Sequence, residues 1–147
     1  MDKKLDNKYG EILEHKASGF NLDDVASELH IQKELIVKAI LMEYKDKDPI
    51  LCIVRSVDKL KTKNIKLLTG FKYSFMKEES LTKLHLSPGA IPPFIGFQLA
   101  IKTYIDENLT ADYYYGSGGS VFNACKFSIN IYGSLGAEMK NLTNEIG

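Results

Sequence analysis

Apolar residues at Leu5, Tyr9, Ile12 and Leu13, continued by Lys16, recur at the i, i+4, i+7, i+8 spacing of a helix with one buried stripe, and Gly19 closes it. A second helix is predicted directly afterwards. Asn21 is placed to cap it, Asp23 and Asp24 suit the positive end of its dipole, and Leu22, Val25, Ala26 and Leu29 supply the buried stripe. The pattern then changes to strand formers. Residues 36–42 and 50–55 flank Lys45-Asp46-Lys47-Asp48-Pro49, which reads as a hairpin connection. Thr62 can cap a short helix over 62–68 that Gly70 ends, followed by a strand over 71–75 and a helix around 77–83. Ser87-Pro88-Gly89-Ala90-Ile91-Pro92-Pro93-Phe94 cannot be regular structure. Downstream, 98–105 reads as a strand, Asp106-Glu107-Asn108 as a turn and 113–115 as another strand. Gly116-Ser117-Gly118-Gly119 then turns the chain into a last strand, where Phe127, Ile129 and Ile131 alternate with Lys126, Ser128 and Asn130. The chain shows no internal repeat. Two helices followed by a strand-rich remainder predict a single α+β domain over residues 1–147, built on a mixed, mostly antiparallel sheet flanked by helices.

Composition supports one folded core. At 147 residues, a domain buries roughly 70% of the surface its unfolded chain exposes, and 44% hydrophobic with 26% charged residues excludes a disordered chain. No apolar run approaches the ~20 residues that cross a bilayer, and Met1-Asp2-Lys3-Lys4 leads into a charged segment without a leader pattern. No membrane partner is therefore expected, and the cytoplasm is the expected location. Cys52 and Cys125 match neither a redox pair nor a zinc spacing, so both read as buried thiols. Nineteen basic residues balance nineteen acidic ones, so net charge does not itself call for a nucleic-acid partner. The run from Lys59 through Lys61 and Lys63 to Lys66 is either a solvated helix face or a local contact for phosphates.

Lys38 is the most informative side chain. Strand alternation puts it on one face with Ile36, Ile40 and Met42, while Val37, Ala39 and Leu41 take the other, so both faces are apolar and the strand reads as central. An unpaired ammonium there would cost several kcal/mol. Its head must reach a partner or a cleft, or snorkel to the sheet edge. In the 87–96 loop, Pro88, Pro92 and Pro93 remove backbone freedom while Gly89 admits conformations closed to other residues, so the loop is either a rigid turn or a preorganised wall of a pocket. The glycine turn at 116–119 lacks the Lys and spacing of a phosphate-binding loop. His15, His30 and His85 form no nucleophile or metal spacing and read as surface or capping residues. Asp23/Asp24 and Glu78/Glu79 fit helix first turns, which leaves no obvious general base, and neither a metal nor a cofactor is expected.

The order of these elements resembles the YbaK/ProX-like family, which includes the editing domain inserted into bacterial prolyl-tRNA synthetases and its free-standing relatives. The resemblance runs roughly from Phe20 to Leu135. In that family an Ala- and Leu-rich helix precedes a strand carrying a key lysine, and Leu22-Asp23-Asp24-Val25-Ala26-Ser27-Glu28-Leu29 followed by Ile36-Val37-Lys38-Ala39-Ile40 is similar to that pair. Pro88-Gly89-Ala90-Ile91-Pro92-Pro93-Phe94-Ile95-Gly96 resembles the family's P-G-A-V-P-P-F-G loop, longer by Ile95. Ile105-Asp106-Glu107-Asn108-Leu109 resembles a strand-ending D-x-x-L, and Gly116-Ser117-Gly118-Gly119 falls where relatives carry a small-residue turn bordering the pocket, with Gly116 where Asn or Ser is usual.

The resemblance implies a metal-independent trans-editing deacylase that hydrolyses the ester of a mischarged tRNA, with a non-catalytic aminoacyl-tRNA or synthetase-binding module of the same fold as the alternative. It assigns Lys38 and Gly89 to catalysis, and Ile91, Pro92, Pro93, Phe94, Ser117, Gly118 and Gly119 to substrate binding. The 3′ end of an aminoacyl-tRNA is the implied partner, and the neutral surface suggests affinity borrowed from an aminoacyl-tRNA synthetase or an elongation factor.

Overall fold

The computed structural model, which describes residues 9–134 and 136–146, begins with a strand where hydrophobic spacing predicts a helix. Glu11–Glu14 (β1) pairs antiparallel with a segment more than a hundred residues away, Ile12 opposite Cys125 and Leu13 opposite Ala124. A distant ladder thus satisfies backbone groups that a local helix would otherwise satisfy, and Tyr9 stacks on Phe94 at 4.7 Å between ring centres. Leu5 lies outside the described residues.

The second helix forms over Leu22–Leu29 (α1), and the Asn21 side chain accepts from the Asp24 amide at 3.2 Å. Val25 and Ala26 are its fully buried positions, and His30 caps its end with φ of 57°. Val37–Glu43 (β2) and Ile50–Arg55 (β3) make the expected hairpin, with Lys38 opposite Val54. Thr62–Thr69 (α2) starts from Lys61 without a side-chain cap, so Thr62 is its first residue and not its cap. Ser74–Phe75 (β4) is shorter than the predicted strand, and Glu78–Lys83 (α3) follows.

The proline-bearing loop leads into a short helix, Ile95–Gln98 (α4), which takes the first part of the strand expected over 98–105. The Ile101 amide reaches back to the Gly96 carbonyl at 2.6 Å, so extended backbone begins only at Lys102–Asp106 (β5). Tyr113–Ser117 (β6) includes Gly116 and Ser117, which the sequence pattern assigns to a turn. The last predicted strand ends early. Asn123–Ser128 (β7) holds Phe127, but the Ile129 amide turns to the Asp112 carbonyl at 2.9 Å, and Ile131 falls in a short helix, Asn130–Ser134 (α5). Tyr132 gains a fully buried position in that helix. Glu138–Lys140 (β8) has no counterpart in the sequence pattern.

The α+β class stands, while the expected single sheet is divided in two. One sheet runs β4-β2-β3-β5-β8, with β3–β5 and β5–β8 parallel; the other is antiparallel, β1-β7-β6. An isolated parallel bridge between Ile36 and Tyr115 joins them. The central strand is β3, buried at every position except Arg55. Strand β2 has β3 on one side, but only β4 on the other, at Met42 and Glu43, so its outer edge at Lys38 lacks a neighbour in its own sheet. One face packs Leu41, Leu51, Ile53 and Ile105 against Phe94, Phe127 and Tyr132; the other packs Met42, Ile50, Cys52 and Val54 against Ile65, Tyr73 and Leu142. Among the described residues no helix is long and apolar enough to cross a membrane.

Cys52 and Cys125 are both free and buried, one in each of these clusters. Burial pushes each thiol up to about 12, so almost no thiolate exists near neutral pH. Neither is expected to react with Ellman's reagent at pH 8 while the chain is folded, and both should react in denaturant. Rapid labelling of either thiol in native buffer would contradict this packing.

Candidate functional site

The uncovered outer edge of β2 is one wall of a cavity of about 340 Å³. The proline-bearing loop lines it with Gly89 and Ile91, α1 with Leu22, Val25 and Leu29, and the end of β6 with Tyr115, Gly116 and Ser117. The lining is mostly apolar, through Leu22, Val25, Leu29, Ile36, Val37 and Ile40, with a few polar groups from His15, Lys38, Ser117, Ser120 and Asn123. Such a surface suits a small ligand with one apolar part and few hydrogen-bonding groups.

Of the residues singled out in the sequence, Lys38, Gly89, Ile91 and Ser117 are brought together here. Pro92, Pro93, Phe94, Gly118 and Gly119 are not among the lining residues. Phe94 is fully buried, stacked on Tyr9 and packed edge-on against Phe127. Pro93 offers its carbonyl to the Tyr132 hydroxyl at 2.6 Å, and its ring sits where only Gly116 fits, since a Cβ there would lie 2.7 Å from Pro93 Cγ. These rings go to the core because burying apolar surface outweighs leaving it in a wet cleft. The loop is therefore anchored through Pro92, Pro93 and Phe94 and presents Gly89 and Ile91. Gly89 has φ of +75°, and a Cβ on it would collide with the Phe20 ring. Phe20 is itself 70% exposed at the cavity mouth.

Lys38 is half-buried, and its Nζ donates to the Asp58 carbonyl at 3.1 Å. An ammonium carries three N–H donors, so two remain for a ligand. Burial holds this amine below the ordinary lysine range, while the charge of Asp58 works in the opposite direction. Asp58 is in turn fixed. Arg55 clamps its carboxylate with two hydrogen bonds, at 2.7 and 3.0 Å, and Asn108 Nδ2 adds a third at 3.3 Å. These partners, Arg55 first, keep the carboxyl below its usual range. The carbonyl that receives Lys38 thus belongs to a residue that is held in place.

Among the lining residues that the sequence reading did not assign to the site are His15, Tyr115 and Asn123. His15 is not a surface histidine: it is 7% exposed, lines the cavity, and sits 2.7 Å through Nδ1 from the Ala17 carbonyl. A carbonyl only accepts, so Nδ1 carries the proton and Nε2 is left as the ring's acceptor in the neutral form. Tyr115 and Asn123 enter from β6 and β7. Reading 9–16 as a helix concealed His15, and no local pattern marks the other two. The glycine turn meets its own needs, because the amides of Gly118, Gly119 and Ser120 bond to the Asn123 carbonyl, Ser117 Oγ and Asn123 Oδ1. It is therefore not an open cradle for phosphate.

A sequence model of the aminoacyl-tRNA editing domain matches residues 17–121, which span α1, the lysine-bearing strand, the proline loop and β6. No curated protein sequence matches the chain. A crystal structure described as a candidate trans-editing enzyme for prolyl-tRNA synthetase superposes with a TM-score of 0.82 at 20% identity, covering 92% of this chain and 87% of that one. A hypothetical protein gives 0.82 at 18% identity, covering 92% and 91%. A structure from computational epitope grafting onto scaffold proteins gives 0.81 at 18%, covering 93% and 88%. At these identities the three superpositions show a shared fold.

Proposed function

This chain belongs to the aminoacyl-tRNA editing domain family, and we propose on that premise that it is a metal-independent deacylase that clears mischarged tRNA. The observation that carries the reading is that a half-buried cation, Lys38, and the stiff loop at Gly89 and Ile91 line one small, mostly apolar cavity. The aminoacyl side chain would occupy the apolar part, whose size limits what fits, and the terminal ribose would face Lys38. One methylene changes affinity by only about 1–3 kcal/mol in a synthetase pocket, which is why a second, differently shaped cavity is needed to remove errors.

In the proposed reaction a water oxygen attacks the ester carbonyl carbon, the bond from that carbon to the ribose oxygen breaks, and the ribose oxygen takes up a proton. Free amino acid and uncharged tRNA result. Lys38 stabilises the negative charge that builds on the substrate during attack, with its ammonium aimed by the Asp58 carbonyl. A hydroxyl of the terminal ribose positions the water, and His15 Nε2 offers an acceptor beside it. The family's partner is an aminoacyl-tRNA; a synthetase or elongation factor would supply affinity beyond the acceptor end.

The direct test is release of amino acid from a panel of tRNAs mischarged with small or medium residues such as alanine, cysteine or proline, run with and without a chelator. Hydrolysis of at least one ester above the spontaneous rate, unchanged by the chelator, is expected. Binding without release of any amino acid would leave the non-catalytic module as the reading.

A further inference from the structure

The charge balance of the whole chain hides a strong local imbalance. Between Asp58 and Glu78 the sequence carries Lys59, Lys61, Lys63, Lys66, Lys72 and Lys77 with no Asp or Glu. The structure gathers this stretch on α2 and the loop that follows it. Helix α2 turns Asn64 and Ile65 to the core, which leaves Lys63, Lys66 and Leu67 on its outer face at i, i+3, i+4 spacing. Leu67 is 62% exposed, and Phe75 beyond the helix is 56% exposed. Phe71 and Lys72 are also exposed, and the hairpin tip joins them where Lys47 Nζ lies 4.6 Å from the centre of the Phe71 ring.

Lysines interleaved with exposed aromatic rings form a surface that suits a sugar-phosphate backbone: the cations meet phosphates and the rings meet sugars or unpaired bases. Among the described residues, counter-charges lie at the margins. Lys61 pairs with Glu145 at 3.1 Å, Lys77 lies beside Glu43, and Asp46 and Asp48 alternate with Lys45 and Lys47 along the sequence of the tip. Lys63, Lys66 and Lys72 make no ion pair among the described residues. The basic stretch also begins next to the partner of the cavity's lysine. Lys59, its first cation, directly follows Asp58, whose carbonyl holds Lys38, and β2 runs about 17 Å from Lys38 to Glu43 beneath the loop's far end.

We propose that the outer face of α2 and the loop through Lys72 is the docking surface for the sugar-phosphate backbone of a tRNA acceptor arm, placing the arm's 3′ end at Lys38. This rests on the editing reading above for the identity of the RNA. It explains how a chain without net charge holds a polyanion: a local field, and not the overall balance, meets the phosphates.

The test compares the wild-type chain with the K63Q/K66Q/K72Q variant and the K63R/K66R/K72R variant. The probe is an acceptor-stem RNA hairpin ending in unpaired CCA, titrated at several salt concentrations. Each phosphate contact contributes about 0.7–0.9 to the slope of log affinity against log salt, so the glutamine variant should lose about 2 from that slope and roughly ten- to a hundredfold in affinity at moderate salt. The arginine variant should retain both. Hydrolysis of 3′-aminoacyl-adenosine, which lacks the arm, should be equal in all three proteins.

Equal hairpin affinity and slope in wild type and the glutamine variant would overturn the docking surface, even if hydrolysis proceeds. Absence of hydrolysis with the hairpin result intact would instead remove the deacylase reading and leave the docking surface standing. Loss of binding to anionic phosphatidylserine vesicles with RNA affinity unchanged would assign the surface to a membrane and overturn the proposal.

Discussion

Lys38→Ala is expected to lower hydrolysis of a mischarged tRNA by about 10²–10³-fold while the chain remains folded. Lys38 lines a mostly apolar cavity, where a fixed charge would act on a bound ester far more strongly than in water. The side chain contributes little to the fold, since its Nζ makes one hydrogen bond to a backbone carbonyl and burial disfavours its charge. Lys38→Met, which keeps the apolar stem, should lose activity equally. A circular dichroism melt and a single-turnover assay on the same preparations separate the two effects, and either variant hydrolysing at the wild-type rate would remove Lys38 from the mechanism.

Proton linkage gives a second signature of the same residue. Because burial lowers the folded-state pKa beneath the ordinary 10.5, the cation, and with it the proposed turnover, is expected to be half lost at a pH below 10.5. The stability cost of keeping Lys38 charged is fully present below the folded pKa and fades as pH climbs from there to 10.5. Lys38→Met should remove this alkaline gain in stability.

Asp106→Ala is expected to destabilise the fold by about 3–5 kcal/mol. Asp106 is fully buried and accepts from the Leu142 amide and the Thr143 hydroxyl, each at 2.8 Å, and from the Asn108 amide at 3.2 Å. Alanine would leave three donors without an acceptor. These bonds fasten the segment after β8 beneath α2, where Leu142 completes the second core cluster and Asn64 bonds the Asn141 and Asn144 carbonyls. Urea unfolding measures the cost, and a loss under about 1 kcal/mol would show that the clasp is not needed. Turnover should suffer too, because Asn108 also donates to the carboxylate of Asp58, whose own backbone carbonyl receives Lys38.

Asp106 shows where sequence reading stops. Its place at the end of a strand was legible, as part of Ile105-Asp106-Glu107-Asn108-Leu109, but its partners Leu142 and Thr143 follow a strand, β8, that no local pattern announced. The same holds at the opposite end of the chain. The stripe through Tyr9, Ile12 and Leu13 fits a helix by spacing, yet β7 supplies a ladder that makes it a strand and carries His15 to the cavity wall.

What the sequence determined by itself is what depends on a residue and its near neighbours. Asn21 caps α1, Gly70 closes α2 with φ of 84°, the 37–55 hairpin turns before Pro49, and the prolines keep 87–94 out of regular structure. It also showed a lone lysine in an apolar strand and a separate loop stiffened by prolines. Tertiary structure decided the rest: that β3 and not β2 is central, that Pro92, Pro93 and Phe94 anchor the loop while Gly89 and Ile91 present it, and that Lys38 meets Asp58. The division follows from range. Caps and turns are set by φ, ψ and hydrogen bonds within a few residues, whereas which apolar ring is buried and which faces a cleft depends on surfaces from β1, β6, β7 and α5 that meet only once the chain has folded.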